Sequence, residues 1–340
     1  MIGRRMVMLT GIWCVSAAAL GASVAPLPLQ SVHPKLWPGP PAHDPITPEV
    51  LRFVDDLIAR MTLEEKVGQM IQADIASITP AELDHYRLGS ILAGGNAAPA
   101  NDLQSSPQAW LDLTRDYHAA ALRGSAAGAR HVPIPLLFGI DAVHGHAKLI
   151  GATIFPHNVG LGAAHDPALI REIGAATAEE VAATGIDWTF APTVAVARDV
   201  RWGRAYESYS ESPQLVARYA PEMVTGLQGE LGTRDFMAGG HTLSSIKHFL
   251  GDGGTEFGRD QGDTRVSESQ LAHVHAAGYA AALNVGAMII MASYNSWNGI
   301  KMHMSHALLT DILKGRMGFS GFEVGDWNAQ EQVPGCTKSS

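Results

Sequence analysis

The sequence predicts an α/β fold of the (β/α)8 barrel type, incomplete, with about seven βα units present. Helical patterns alternate with short apolar runs along the 340 residues, and runs such as residues 286–292 are apolar throughout. Such runs are typical of parallel strands covered on both faces. In a barrel, the C-terminal strand ends converge on one mouth where substrates bind. Polar residues follow the predicted strands at Asp141, Lys247, His248, Tyr294, Asn295 and Asp326.

The N-terminus has the layout of a secretory signal peptide. Two arginines precede the apolar residues 6–20, and small residues follow up to position 25. An N-terminal membrane anchor is the alternative, but the apolar stretch is shorter than the ~20 residues that a spanning helix needs. We therefore predict that residues 1–25 are removed and that the mature chain is exported, to the periplasm or the medium, with no membrane attachment.

The remaining chain divides into a lead-in and one large domain. Residues 26–48 contain eight prolines and no hydrophobic period, so we expect an extended segment there. Residues 49–340 are predicted to form the barrel domain. Helices are expected at about 49–61, 81–87, 107–123, 167–184, 213–229, 267–283 and 305–316. Strands are expected at about 68–74, 88–93, 135–141, 186–191, 243–248, 286–293 and 320–326. Only 14 residues follow Asp326, so the barrel is expected to lack one strand.

Composition and charge exclude several classes of protein. With 46% hydrophobic and 17% charged residues, the chain is neither disordered nor a coiled coil. Its net charge is −9 and it has no basic run, so nucleic acid is not expected as a partner. His144 and His146 form a His-x-His pair, but two ligands alone do not make a zinc site; bracing of neighbouring loops is the alternative. No metal ion or cofactor is predicted, and the oligomeric state is left open.

Three segments carry groups suited to a polar substrate. Asp141 is placed to hydrogen-bond such a substrate, and the arginines and aromatics of residues 198–209 suit a sugar. Glu207 in that loop is expected to pair internally with an arginine. Lys247 and His248 are adjacent, so both face the mouth only if the strand is irregular there. A lysine on a barrel strand can also form a Schiff base, which makes a lyase the chemical rival.

Six motifs together resemble glycoside hydrolase family 3, in particular its exo-acting β-glucosidases and glucan glucohydrolases. They are GIDAVHGH (139–146), ATIFPHNVGLG (152–162), RDVRWGRAYESYSE (198–211), KHFLGDGG (247–254), SYNSWNGIKMH (293–303) and FEVGDWN (322–328). The resemblance implies retaining hydrolysis of terminal β-D-glucosyl residues from β-glucans or cello-oligosaccharides.

The resemblance also implies a role for each matching residue. Asp326 matches the catalytic nucleophile. The residues that match those holding the sugar hydroxyls are Asp141, Arg204, Lys247 and His248. Tyr294 lies in the motif that lines the pocket, and Trp327 matches an aromatic that flanks the sugar.

The acid/base is the part that the resemblance does not place within the sequence. Two-domain members take a Glu from a downstream α/β sandwich, which we expect to be absent here, so the acid/base is expected beyond Ser340. Hexosaminidase relatives use an Asp-Ser-His element that residues 251–263 lack. The chain is therefore expected to be truncated and weakly active or inactive. The alternatives are a catalytically idle sugar-binding fragment and a Schiff-base lyase that uses Lys247. Should the barrel supply an acid, Glu207 and Asp252 are the first candidates.

Two departures from the family pattern have structural consequences. Lys148 stands where a polar residue such as Asn is expected, directly after the two histidines. Glu323 takes an apolar position, and strand alternation from Asp326 points it into the helix layer. A buried carboxylate in that layer should ionise less readily.

Overall fold

The computed structural model describes residues 30–123 and 132–333. The predicted signal peptide lies outside the described residues. The strands are β1 (Gln72–Asp74), β2 (Ser90–Ala93), β3 (Leu137–Ile140), β4 (Trp188–Thr189), β5 (Leu243–Phe249), β6 (Asp263–Thr264), β7 (Ile289–Ala292), β8 (Ser296–Trp297), β9 (Ile300–Lys301) and β10 (Phe322–Val324). Seven of them form one parallel sheet in the order β1-β2-β3-β4-β5-β7-β10. Each predicted strand overlaps one of these seven, which confirms the α/β barrel with about seven units.

The sheet is not closed within the described residues, because β1 and β10 each pair with only one other strand. Strand β10 pairs with β7, with Glu323 opposite Ile290. The smaller sheet consists of β6, β8 and β9, and it follows the C-terminal ends of β5 and β7. All four residues of β7 are buried, as expected for a parallel strand with both faces covered.

Helices flank the sheet. They are α1 (Pro48–Arg60), α2 (Leu63–Gln69), α3 (Pro107–Leu122), α4 (Asn158–Ala163), α5 (Pro167–Ala183), α6 (Pro213–Gln228), α7 (Glu268–Gln270) and α8 (Ala277–Leu283). A π-helical segment, Leu271–His275, joins α7 to α8, and another, Ala307–Arg316, precedes β10. The helix expected at 81–87 is only a 3-10 turn, Glu82–Asp84. Within the described ranges, no helix is long and apolar enough to cross a bilayer.

The four longest α-helices start with the same local signal. A polar side chain accepts a hydrogen bond from the first turn, and proline follows it with a backbone already suited to helix. These pairs are Thr47-Pro48, Ser106-Pro107, Asp166-Pro167 and Ser212-Pro213. Helices α5 and α6 then approach closely, because a Cβ on Gly226 would lie 2.3 Å from the carbonyl oxygen of Arg171. Glycine is required there by the close approach of the two backbones.

The described part of the lead-in contacts the body of the domain. Trp37 is buried, and its indole N–H donates to Glu268 at 2.8 Å. Arg316 donates to the carbonyl oxygen of Trp37 at 3.1 Å. This proline-rich segment is therefore held against the last helical layer through one aromatic anchor.

Candidate active site

A cavity of about 740 Å³ opens at the C-terminal ends of the strands. Six of the seven site residues predicted from the sequence line it, namely Asp141, Arg204, Lys247, His248, Asp326 and Trp327. Tyr294 lines an adjoining recess that shares Arg204, His248 and Asp326 with the main cavity. The structure thus brings all seven residues to one end of the sheet, where barrels place their substrates.

The floor of the cavity contains an ion pair between β3 and β5. Lys247 Nζ lies 2.8 Å from Asp141 Oδ1, and Lys247 is only 5% exposed. Burial alone would raise the pKa of Asp141, but the Lys247 ammonium outweighs it, so the pKa of Asp141 is lowered. The pair therefore presents a carboxylate and an ammonium to the cavity.

Strand β5 is irregular where Lys247 and His248 follow one another. Its register with β7 shifts between Ile246 and Phe249, and the Lys247–His248 peptide bond is cis. Both side chains line the cavity. The backbone irregularity that the sequence requires is therefore present.

Arg204 and Glu207 form an internal pair, as predicted. The guanidinium donates to the two carboxylate oxygens at 2.6 and 2.9 Å. Burial would raise the pKa of Glu207, but its bonds to Arg204 lower it on balance. Arg204 Nη2 also lies 3.1 Å from His248 Nε2. Glu207 is therefore an ionised group that orients Arg204 toward the cavity.

Asp326 lies just after β10 and is held by backbone and side-chain contacts. The Asp326 backbone N–H donates to His303 Nε2 at 3.2 Å, and the Trp327 backbone N–H donates to Asp326 Oδ1 at 2.7 Å. Burial lowers the pKa of His303, which favours the neutral ring that this bond needs. The Tyr294 hydroxyl donates to the Trp327 carbonyl oxygen. Burial, and then the charge of Asp326, raise the pKa of Tyr294 to about 12, so it remains a donor.

The wall next to Trp327 is formed by residues that the sequence reasoning did not select. Asp74, at the end of β1, accepts from the Gly94 backbone N–H at 2.7 Å. A Cβ on Gly94 would lie 2.5 Å from the Trp327 ring. Lys148 donates to the carbonyl oxygens of Ala93, Gly94 and Ala97 at 2.6, 3.1 and 3.2 Å. The strand-end position of Asp74 is the signal that could have identified it.

The histidines of the His-x-His pair contact different surroundings. His144 Nδ1 lies 3.0 Å from the carbonyl oxygen of Phe155, and His146 Nε2 lies 3.3 Å from Thr184 Oγ1. Burial lowers the pKa of His146 to about 4, so that ring is neutral. These contacts support the loop-bracing interpretation. In the part of the chain that the structure describes, no cluster of three or more His, Cys, Asp or Glu could hold a metal ion.

The fold and the pocket define an α/β-barrel domain with a polar, charged active-site cavity at the strand ends. Residues 62–338 match the family model described as the glycosyl hydrolase family 3 N terminal domain. The chain therefore belongs to glycosyl hydrolase family 3, which confirms the resemblance drawn from the six motifs.

Individual relatives agree with this assignment. The exo-1,3/1,4-β-glucanase of a marine-type Pseudoalteromonas species is 51% identical with a TM-score of 0.85, covering 88% of this chain and 37% of that chain. The lysosomal β-glucosidase of Dictyostelium discoideum is 31% identical over 83% of this chain and 36% of its own length. The periplasmic β-glucosidase of Salmonella typhimurium is 30% identical over 85% of this chain and 35% of its own length. The chain spans about a third of the length of these relatives.

Proposed function

We propose that this domain binds the terminal β-glucosyl residue of a β-glucan or cello-oligosaccharide and provides the nucleophile of a retaining exo-hydrolase. One observation carries the proposal: Asp326 lies in the same cavity as the Lys247–Asp141 pair and Arg204. A carboxylate is thereby placed beside charged groups suited to sugar hydroxyls. The names of the relatives support the substrate class, and a Listeria innocua β-glucosidase with 28% identity and a TM-score of 0.68 was solved with laminaribiose.

In the proposed reaction, Asp326 attacks the anomeric carbon. The C–O bond to the leaving group breaks as the glycosyl ester forms, and water then hydrolyses that ester with overall retention. Positive charge develops on the sugar ring in the oxocarbenium-like transition state. Hydrogen bonds from the ring hydroxyls to Asp141 and Lys247 accelerate the reaction to the extent that they strengthen in that state.

The leaving group also needs a proton, which a second carboxyl about 5–5.5 Å from the nucleophile supplies in retaining enzymes. Among the described residues, the carboxylates around the cavity are already engaged. Asp141 pairs with Lys247, Glu207 with Arg204, and Asp252 with His248, while Asp74 accepts two backbone N–H groups. None of them is a free acid. We therefore propose that this chain has little general-acid catalysis, which typically contributes 10²–10⁴-fold.

Two other functions make different predictions. A catalytically idle sugar-binding fragment would bind glucose without turning over any glucoside, and the engaged carboxylates are the observation that favours it. A Schiff-base lyase needs a neutral amine at Lys247. The ion pair with Asp141 stabilises the ammonium form instead. Borohydride trapping with a carbonyl substrate should therefore leave Lys247 unmodified.

The test compares two substrates of the purified chain. A dinitrophenyl β-glucoside has a leaving group that needs little protonation, so we expect slow turnover of it and none of cellobiose. Azide needs no general base, so it should speed breakdown of the glycosyl ester. Efficient cellobiose hydrolysis would contradict the proposed lack of an acid. Glucose binding with no turnover of either substrate would select the idle fragment.

We also propose that the protein is exported. The signal-peptide pattern of residues 1–25 supports this location, and the Salmonella relative is described as periplasmic. N-terminal sequencing of the protein from its own cells should begin after residue 25, whereas an intact Met1 would contradict export by this route.

A further inference from the structure

We propose that Asp252 is a positioning residue that holds His248 in one tautomer, with the proton on Nδ1 and a hydrogen-bond acceptor at Nε2 in the cavity. The inference deepens the proposed function and rests on it for the identity of the sugar. It changes the expected role of His248, because a ring in this tautomer accepts a proton from a sugar hydroxyl instead of donating one.

The first observation concerns Nδ1 of His248. It lies 3.0 Å from Asp252 Oδ2, and the other oxygen of that carboxylate accepts from the Gly253 backbone N–H at 3.0 Å. His248 is 3% exposed and Asp252 is 7% exposed. Both carboxylate oxygens are thus used as acceptors in a buried setting, where a hydrogen bond to a charged group is strong.

The second observation concerns Nε2 of the same ring. It lies 3.1 Å from Nη2 of Arg204, and a guanidinium can only donate. Arg204 is itself fixed by its two bonds to Glu207. The nucleophile carboxylate is farther away, with Asp326 Oδ2 at 3.7 Å from Nε2, which is longer than a hydrogen bond. Nε2 must therefore offer its lone pair to Arg204, and the ring proton belongs on Nδ1.

Neighbouring groups are consistent with this arrangement. The charged groups around His248 are Asp252 and Asp326, Arg204, and the Lys247–Asp141 pair, with Glu207 behind Arg204. Behind Asp252 lie two neutral side chains. Burial lowers the pKa of His275 to about 4, against the charge of Asp252, and burial raises the pKa of Tyr279 well above its ordinary value.

The arrangement gives the cavity both kinds of partner that a sugar hydroxyl needs. A hydroxyl donates one hydrogen bond and accepts others, so a cavity of cationic donors alone would leave its proton without an acceptor. Lys247 and Arg204 supply donors, and His248 Nε2 and Asp141 supply acceptors. Asp252 thereby acts on the sugar only through His248.

The substitution Asp252→Asn tests this inference. Asparagine has one oxygen where the carboxylate has two, so it cannot accept from both Gly253 and His248. If its oxygen accepts from Gly253, its amide N–H₂ group faces His248 Nδ1, and the ring proton moves to Nε2 opposite the Arg204 donor. A second pair, His118 with Asp187 at 2.9 Å, lies at the N-terminal end of β4 and supplies a matched control.

The measurement is the nitrogen NMR spectrum of the full chain with ¹⁵N-labelled histidine, with the His248 signals assigned by their loss in His248→Gln. We expect the Nδ1–H tautomer in the wild type at neutral pH and its loss in Asp252→Asn. Glucose binding should weaken by about tenfold in Asp252→Asn and should be unchanged in Asp187→Asn. An Nε2–H tautomer or an imidazolium in the wild type would overturn the inference, as would unchanged tautomer and affinity in Asp252→Asn.

The tautomer and the proposed function fail in different ways. If the wild-type chain binds no glucose, the proposed function fails while the wild-type spectrum still decides the tautomer. That spectrum needs no variant, so the inference stays testable if Asp252→Asn does not fold.

Discussion

The two sides of the cavity are built differently. On the β5 side, Lys247 and His248 are almost fully buried and each has an ionic partner within 3.0 Å. On the β10 side, Asp326 and Trp327 follow a three-residue strand with a single strand neighbour, and Trp327 is 53% exposed. The groups proposed to hold the sugar are therefore fixed inside the core before any sugar binds. The proposed nucleophile lies at the edge of the sheet and depends on a few local contacts.

These contacts differ in kind as well as in number. On the β5 side, charge pairs connect separate strands, as Asp141 on the β3 side does with Lys247. On the β10 side, the described contacts are single hydrogen bonds from His303, Tyr294 and the Trp327 backbone. We expect substitutions on the β5 side to weaken sugar binding, and substitutions on the β10 side to change the reaction with less effect on binding.

The largest effect is expected from Asp326→Gly. Loss of the nucleophile should lower kcat/KM on a dinitrophenyl β-glucoside on the order of 10⁴-fold or more, as when other covalent nucleophiles are removed. Glucose affinity should change little, because the β5 side remains intact. Added azide should occupy the vacated space and yield the α-glucosyl azide, identified by NMR. A β-configured product would show that another nucleophile acts.

Lys247→Ala should have the next largest effect. It removes a donor to the sugar and leaves Asp141 without its ion-pair partner. We expect kcat/KM on the activated glucoside to fall by about 10²-fold or more. His248→Ala should fall to a similar extent, since it removes the proposed acceptor. Unchanged kinetics and glucose affinity in both variants would mean that the pocket lies elsewhere, provided that circular dichroism shows folded protein.

Tyr294→Phe should have a smaller effect that separates the two sides. It deletes the hydrogen bond to the Trp327 carbonyl oxygen and leaves the β5 side untouched. A loss of about three- to tenfold in kcat/KM with unchanged glucose affinity is expected, because one net hydrogen bond contributes about 0.5–1.5 kcal/mol. An equal loss in glucose affinity would show that Tyr294 holds the sugar directly.

The smallest expected effect concerns stability at the β10 edge. Burial raises the pKa of Glu323, with Lys314 of the neighbouring helix opposing the shift, which agrees with a side chain in the helix layer. The folded state therefore binds this proton more tightly than the unfolded state. Stability from this group is present below its ordinary pKa and is lost as the pH rises through the raised value.

The measurement compares Glu323→Gln with the wild type by thermal unfolding. The variant should gain stability relative to the wild type between acidic and neutral pH, by less than about 1 kcal/mol because the site is only half-buried. A matched control is Asp311→Asn on the same helical segment, where the carboxylate is exposed. A relative gain that is larger at acidic pH than at neutral pH would contradict the assignment.

Much of the fold follows from local patterns. Uniformly apolar runs identify strands such as β7, and pairs such as Ser106-Pro107 identify helix starts. The missed helices, α2 and α4, are short and lack a full apolar period. The turn at 82–84 was overestimated as a helix, because three-residue turns and helices share the same first contacts.

The candidate site was predictable where it follows a strand end or a motif, as with Lys247 and Asp326. The contacts of Asp74, Lys148 and His303 were not, because each depends on residues that are distant in sequence. Lys148, for example, reaches the carbonyl oxygens of Ala93 and Ala97 about fifty residues away. Such pairings depend on how the loops fold over the strand ends and have no local signature.

The most direct test of the account is to identify the residue that forms the covalent glycosyl intermediate. A 2-deoxy-2-fluoro-β-glucoside with a dinitrophenyl leaving group slows breakdown of the intermediate more than its formation, so the ester should accumulate. Peptide mapping by mass spectrometry should find the fluoroglucosyl group on Asp326 of the wild-type chain, and Asp326→Gly should take up no label. A label on another carboxylate, or a chain that hydrolyses the activated glucoside without any covalent species, would contradict the central claim.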